Sequence, residues 1–238
     1  MTSEGVLAVI PARYGSSRFP GKPLALIKGI PMIVRVMNRA RSVGGVSEVI
    51  VATDHSGILK TVREAGGRAV MTSGSHSSGT SRISEAASGM DYDIVLNIQG
   101  DEPLFPVRGV EDLAGVMKED RSVKMATLAS FSESSEELDS PDTVKVVFGT
   151  DRNALYFSRA ALRCGENGFY RHIGIYGFRK RFLMEFARLP AGELERTEKL
   201  EQLRALENGF RIRVVTCVSQ AGGVDRPEDI KRVEKMID

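Results

Sequence analysis

Three cations fall within ten residues near the start of the chain: Arg13, Arg18 and Lys22, in Pro11-Ala12-Arg13-Tyr14-Gly15-Ser16-Ser17-Arg18-Phe19-Pro20-Gly21-Lys22-Pro23. The small residues between them let backbone N–H groups approach an anion closely, and the cations neutralise its charge. That combination predicts polyphosphate binding, with a solvated basic loop as the competing reading. It is not a Walker A loop, because five residues separate Gly15 from Gly21 and Pro23 follows Lys22. The G-x-G-x-x-G spacing of a dinucleotide site is absent as well. Neither Ser16 nor Ser17 has an obvious base partner, which disfavours a serine nucleophile.

Carboxylates supply the opposite charge. Gln99-Gly100-Asp101-Glu102-Pro103 follows the apolar run 94–98, and Asp225 precedes the last helical stretch in Gly223-Val224-Asp225-Arg226-Pro227. A carboxylate at a strand's carboxyl end, facing a phosphate loop, suits Mg²⁺, which takes one or two carboxylates and completes its octahedron with phosphate oxygen and water. A turn or helix cap is the alternative role for Asp101, and an N-cap neighbour of Pro227 for Asp225. His172 begins an apolar run and reads either as a hydrogen-bonded structural residue or as a substrate contact. Glu198 and Gln202 are spaced i, i+4, as on one helical face that could equally be merely solvated. His55 and His76 lack ligand spacing and receive no role. Cys164 and Cys217 show no C-x-x-C pattern, so neither a zinc site nor a disulfide framework is expected.

These residues must be held by an alternating frame. Residues 6–10, 49–52, 69–71 and 94–98 are short apolar runs, as in strands buried on both faces. Helical spacing separates them: Met32, Ile33, Val36, Met37 and Ala40 after Pro31, then residues 58–64 and 81–87. Short connections between strand and helix imply parallel pairing with right-handed crossovers, and ligands then sit beyond the strands' carboxyl ends. Loops 11–22, 72–80 and 99–103 qualify by position. The second half places a helix at 110–117 and a strand at 125–129. Strand-like runs at 144–148, 154–157 and 173–178 have no long helix between them and read as an antiparallel excursion. Leu194, Leu200, Leu203 and Leu206 predict one helix of three to four turns, followed by a strand at 211–218 and a helix at 227–237.

Nine motifs in order resemble the 3-deoxy-manno-octulosonate (KDO) cytidylyltransferase family, the CMP-KDO synthetases. They are Ile10-Pro11-Ala12-Arg13, Pro20-Gly21-Lys22-Pro23-Leu24, Ala52-Thr53-Asp54, Ser78-Gly79-Thr80 with Arg82, and Gln99-Gly100-Asp101-Glu102-Pro103. Then come Ala154-Leu155-Tyr156-Phe157-Ser158-Arg159, His172-Ile173-Gly174-Ile175-Tyr176, Leu200-Glu201-Gln202-Leu203-Arg204 and Val224-Asp225. The resemblance implies a three-layer α/β, nucleotide-diphospho-sugar-transferase-like fold with a mainly parallel sheet. A small antiparallel dimerisation arm, about residues 143–180, would be inserted into a single domain spanning 1–238. It also implies transfer of CMP from CTP to the anomeric 2-hydroxyl of KDO, releasing pyrophosphate, for lipopolysaccharide assembly. Carried over by residue, Ala12, Arg13, Arg18 and Lys22 hold the nucleotide's phosphate end, with Arg13 and Lys22 also catalytic. Ser78 and Gly79 lie near the base, and Asp101 and Asp225 coordinate Mg²⁺. Gln99, His172, Tyr176, Glu201 and Gln202 hold the sugar acid. One departure concerns the stretch after Ser158-Arg159, which is shorter than the family's. It keeps an amino-KDO analogue, or another ulosonic acid such as a sialic acid, in view. A non-catalytic nucleotide-binding module is the alternative from a different class.

Composition narrows the classes further. Lys+Arg 33 against Asp+Glu 31 gives a net charge of +2, which argues against a nucleic-acid-binding tail. With 42% hydrophobic residues the 238-residue chain can bury a core, and with 6% aromatics and no Trp it lacks stacking platforms for single-stranded nucleic acid. Neither a signal-peptide pattern nor an apolar run of about 18 residues occurs, so a cytoplasmic protein without membrane insertion is expected, and the resemblance implies a homodimer.

Overall fold

A computed structural model describes residues 5–15, 19–163, 168–219 and 223–237. Arg18 and Cys164, both singled out above, lie outside the described residues. The chain divides into two compact units, one of residues 1–107 and 220–238, the other of residues 108–219.

The first unit is built as the apolar runs require. Strand β1 (Val6–Ala12) is buried almost throughout. A one-turn 3-10 helix, Lys22–Leu24, and a short hairpin, β2 (Leu26–Ile27) with β3 (Ile30–Pro31), lead into helix α1 (Met32–Arg41). Met32, Ile33, Val36, Met37 and Ala40 are buried on α1, the helical repeat read from the sequence. Strand β4 (Glu48–Thr53), helix α2 (Ser56–Glu64), strand β5 (Arg68–Met71), helix α3 (Gly79–Ala87) and strand β6 (Ile94–Asn97) follow. Strand β1 pairs in parallel with β4 on one side and with β6 on the other, and β4 pairs in parallel with β5. The order β6-β1-β4-β5 reverses direction at β1, which makes the carboxyl ends of β1 and β6 the switch point where a ligand crevice opens. The C-terminal helix Pro227–Met236 completes this unit, with the Lys28 N–H donating to Glu234.

The second unit runs α4 (Val107–Glu119), β7 (Met125–Ser132), α5 (Ser135–Asp139), β8 (Lys145–Phe148), β9 (Ala154–Ser158), β10 (Phe169–Arg179) and α6 (Lys180–Phe186). Then come α7 (Glu193–Glu198), α8 (Leu203–Glu207) and β11 (Arg213–Thr216). Strand β11 lies parallel to β7, whereas β10 is antiparallel to both β7 and β8, and β8 and β9 form an antiparallel pair. The expected antiparallel excursion is therefore present. Lys145, fully buried at the start of β8, donates from Nζ to the carbonyls of Ser140, Thr143 and Arg159 at 2.7, 2.9 and 3.0 Å. Desolvation pushes its pKa down.

One sequence expectation is corrected. The leucine spacing does not form a single helix over 194–206, because α7 ends where Lys199 adopts φ 56° and a turn through residues 200–202 precedes α8. The physical reason lies at Glu198. Its carboxylate accepts from Ser158 Oγ at 2.9 Å, Tyr156 Oη at 3.3 Å and the Arg159 N–H at 3.0 Å. These long-range bonds outweigh local periodicity. Glu198 and Gln202 consequently do not share one helical face.

Candidate functional site

The first unit holds a cleft of about 290 Å³ at the switch point. Its floor is the end of β1, where Ala12 is buried and Arg13 exposed. The three loops picked out by position all reach it: Arg13 and Lys22 from the first, Ser78 and Gly79 from the second, Gln99 and Asp101 from the third. Asp225 lines it from the turn before the C-terminal helix.

Backbone geometry sets the basic loop. Gly21 sits at φ 71°, a region that L side chains avoid, and its N–H donates to the Tyr14 carbonyl at 3.0 Å, closing the loop's base. The Tyr14 ring lies against Gly21 and stacks on His55 with centroids 4.0 Å apart. His55 in turn caps α2, accepting from the Gly57 N–H at 3.1 Å. Lys22 then extends into the cleft. Its Nζ lies 2.5 Å from Asp101 Oδ2, 2.9 Å from the Val224 carbonyl and 3.7 Å from Asp225 Oδ1. A Cβ on Gly100 would stand 2.8 Å from the Pro11 carbonyl, so only glycine lets the Asp101 turn lie this close to β1. The Val224 N–H donates to the Asp101 carbonyl at 2.8 Å and brings the Asp225 turn alongside. Asp229, not Asp225, accepts from the N–H groups of residues 225 and 226 at the helix start. The Asp225 side chain lines the cleft.

The second loop is fixed from below. Arg82, buried, donates to Asp54 Oδ2 at 2.7 Å, to Thr72 Oγ1 at 2.6 Å and to the Ser73 carbonyl at 3.3 Å. Glu85 accepts from the Ser73 N–H and bonds His76 Nε2, and the His76 contact leads the causes that hold its carboxyl below the usual range. Ser78 Oγ caps α3 by accepting from the Ser81 N–H at 3.1 Å, and a Cβ on Gly79 would meet Pro11 at 3.4 Å. The positioning roles of Tyr14, His55, His76 and Glu85 carry no sequence signal, since their partners are distant in the chain or lack a ligand pattern. Arg82 was legible only through the Ser-Gly-Thr motif.

Of the predicted sugar-acid residues, Gln99 lines the first unit's cleft and the other four belong to the second unit. His172 and Tyr176 lie side by side on β10, with ring centroids 5.5 Å apart. Burial pushes the His172 imidazole down to about 3, so the ring is neutral at neutral pH. Glu201 and Gln202 occupy the turn between α7 and α8. Gln202 is buried, and among the described residues its Nε2 is a donor without an acceptor, a feature that a polar ligand would satisfy. Burial also raises the Cys217 thiol to about 11, which keeps it protonated and unreactive.

The donor set in the cleft can be tested against a divalent cation. Asp101 and Asp225 offer hard oxygen ligands around one point, and their attraction for positive charge is shown by the Lys22 ammonium held there. Among the described residues no group of three or more His, Cys, Asp or Glu side chains forms a cage. A cation there would draw its remaining ligands from phosphate and water. That pattern fits Mg²⁺.

Residues 7–213 match the cytidylyltransferase family. A 3-deoxy-manno-octulosonate cytidylyltransferase of Geobacter metallireducens is 46% identical over 97% of both chains. An 8-amino-3,8-dideoxy-manno-octulosonate cytidylyltransferase of Shewanella pealeana is 47% identical over 96% of this chain and 97% of its own. Among solved structures, CMP:2-keto-3-deoxy-manno-octonic acid synthetase complexed with CTP superposes with a TM-score of 0.93 at 42% identity, over 98% of both chains. A 4-diphosphocytidyl-2C-methyl-D-erythritol synthase of Anaerococcus prevotii, with a TM-score of 0.65 at 15% identity, shares the fold alone.

Proposed function

The chain belongs to the cytidylyltransferase family, with the 3-deoxy-manno-octulosonate enzymes, and from that premise we propose that it transfers CMP from CTP to KDO. The observation that carries the reading is the Lys22 ammonium between Asp101 and Asp225 in a cleft at the switch point. In the reaction the anomeric 2-hydroxyl of the sugar acid attacks the α-phosphorus. A new O–P bond forms as the hydroxyl proton passes to solvent, the bond from the α-phosphorus to the β-phosphate oxygen breaks, and pyrophosphate leaves with the electron pair. Such chemistry depends on positioning and charge neutralisation more than on covalent catalysis.

Arg13 and Lys22 neutralise the phosphates, and Ala12 and Gly79 let the nucleotide approach the backbone. Ser78 orders the loop beside the base. Asp101 and Asp225 hold Mg²⁺, which when bound supplies Lewis-acid charge to the phosphates. Gln99, His172, Tyr176, Glu201 and Gln202 orient the sugar acid, and Arg18 joins the phosphate loop. The arm of about residues 143–180, which includes the antiparallel pair β8 and β9, serves a homodimer on this reading. No helix among the described residues is long and apolar enough to cross a membrane, in keeping with a cytoplasmic enzyme.

A second substrate, the 8-amino analogue, is favoured by the equal similarity of a relative named for it. One assay addresses both: pyrophosphate release from CTP and Mg²⁺ with KDO, 8-amino-KDO or N-acetylneuraminate. Release with KDO is expected. No release with any of the three acids would overturn the reading and leave a nucleotide-binding module.

A further inference from the structure

A β-bulge in the second unit determines which nitrogen of His172 carries its proton. In the pairing of β10 with β7, Ile173 faces Leu128 and Tyr176 faces Thr127, so Gly174 and Ile175 are extra residues. The bulge turns two carbonyls toward one hydroxyl: Thr127 Oγ1 lies 2.9 Å from the Ile175 oxygen and 3.3 Å from the Ile173 oxygen. Carbonyl oxygens only accept, so the single hydroxyl proton of Thr127 is committed to them. The same Oγ1 lies 2.9 Å from His172 Nε2, and toward that atom it has only a lone pair to offer. Nε2 must therefore be the donor.

The ring is neutral, so Nδ1 carries no proton and is an acceptor. Nδ1 has no partner among the described residues, and the His172 side chain belongs to a residue only partly buried on β10. Phe157 packs edge-on against the ring at 5.0 Å and holds its plane.

We propose that Thr127 is a positioning residue that locks His172 as the Nε2–H tautomer, so that Nδ1 takes a hydroxyl group of the sugar acid and not its carboxylate. A carboxylate offers only lone pairs and would be repelled by an acceptor nitrogen, whereas a hydroxyl supplies the missing proton. The identity of the ligand rests on the function proposed above; the tautomer does not.

The test joins nitrogen-15 NMR of histidine-labelled protein, with His172 assigned from the His172→Gln spectrum, to steady-state kinetics. At neutral pH the wild-type His172 should show the Nε2–H pattern. Thr127→Val should lose it, and Thr127→Ser, which keeps the hydroxyl, should restore it. In Thr127→Val the KM for KDO should rise about five- to tenfold, the loss of one hydrogen bond, while the KM for CTP stays constant. An Nδ1–H or doubly protonated wild-type ring would overturn the proposal. That measurement needs no variant of Thr127 to fold. The expected tautomer with an unmoved KM for KDO would overturn the acceptor role. A wild-type protein with the expected tautomer but no turnover of KDO would instead overturn the proposed function.

Discussion

Replacing Lys22 with methionine keeps the unbranched stem, one atom shorter, and removes the charge, which separates stability from catalysis. The stability side is small. Lys22 is nearly buried, but its partners Asp101 and Asp225 are 33% and 50% exposed, so solvent screens both ion pairs. Such pairs contribute about 0–1 kcal/mol, and the bond to the Val224 carbonyl at 2.9 Å adds about 1 kcal/mol. The expected loss of unfolding free energy is about 1–3 kcal/mol. Catalysis should suffer more, because the ammonium would face charge that develops on the departing pyrophosphate. Deleting one such preorganised donor typically lowers turnover about a hundred- to a thousandfold, or roughly 3–4 kcal/mol of barrier. Pyrophosphate release at saturating CTP and KDO, read beside urea unfolding, measures both quantities. Lys22→Arg should recover only part of the rate, since a forked planar cation does not reproduce a point charge 2.5 Å from Asp101. Turnover of Lys22→Met within tenfold of the wild type would refute the reasoning. A stability loss of about 4 kcal/mol or more, with the rate following the folded fraction, would make Lys22 a structural ion instead.

Asp101→Asn should suppress turnover about a hundredfold or more with an unchanged circular dichroism spectrum, and chelation should abolish the wild-type rate until Mg²⁺ is restored; near-normal rates in either experiment would remove the metal role. His172 is depressed to about 3 in the folded protein against an ordinary value of 6.5, so only the unfolded chain binds its proton between those limits. Its contribution to stability is present above pH 6.5 and is lost as pH falls toward 3, by up to about 1.4 kcal/mol per pH unit. His172→Gln should flatten that limb in pH-dependent urea unfolding, and an unchanged slope would contradict the burial. Lys145→Met strands three carbonyls around a fully buried position and should cost about 3 kcal/mol in urea unfolding, where a loss below about 1 kcal/mol would show that the carbonyls find other donors.

The frame was legible where burial is two-sided. The run at the start of β1 and that of β6 are apolar because both faces of those strands are covered, and strand–helix alternation then forces the parallel order and its switch point. That order accounts for residues 13, 22, 78, 79, 99 and 101 at one cleft, and Asp225 reaches it through the Val224 bond to the Asp101 carbonyl. The break at Lys199 was not legible, because Glu198 answers to partners on β9 about 40 residues away in the chain and not to its helical neighbours. The bulge on β10 was hidden for a related reason. Ile173 and Ile175 keep the alternation of a regular strand, and only the register against Thr127 reveals the two extra residues. His55 and His76 act through a stack and a hydrogen bond to a carboxylate, contacts that leave no spacing rule in a sequence.

The first unit closes only with residues that follow the second, and this has a consequence for synthesis. A ribosome that has made the chain through residue 219 has already delivered Lys22 and Asp101, but not Asp225. The second carboxylate of the cleft is translated 124 positions after the first (225 − 101), behind a whole compact unit that can fold meanwhile. On the proposed mechanism, a chain that stops before residue 225 lacks one of the two carboxylates assigned to Mg²⁺.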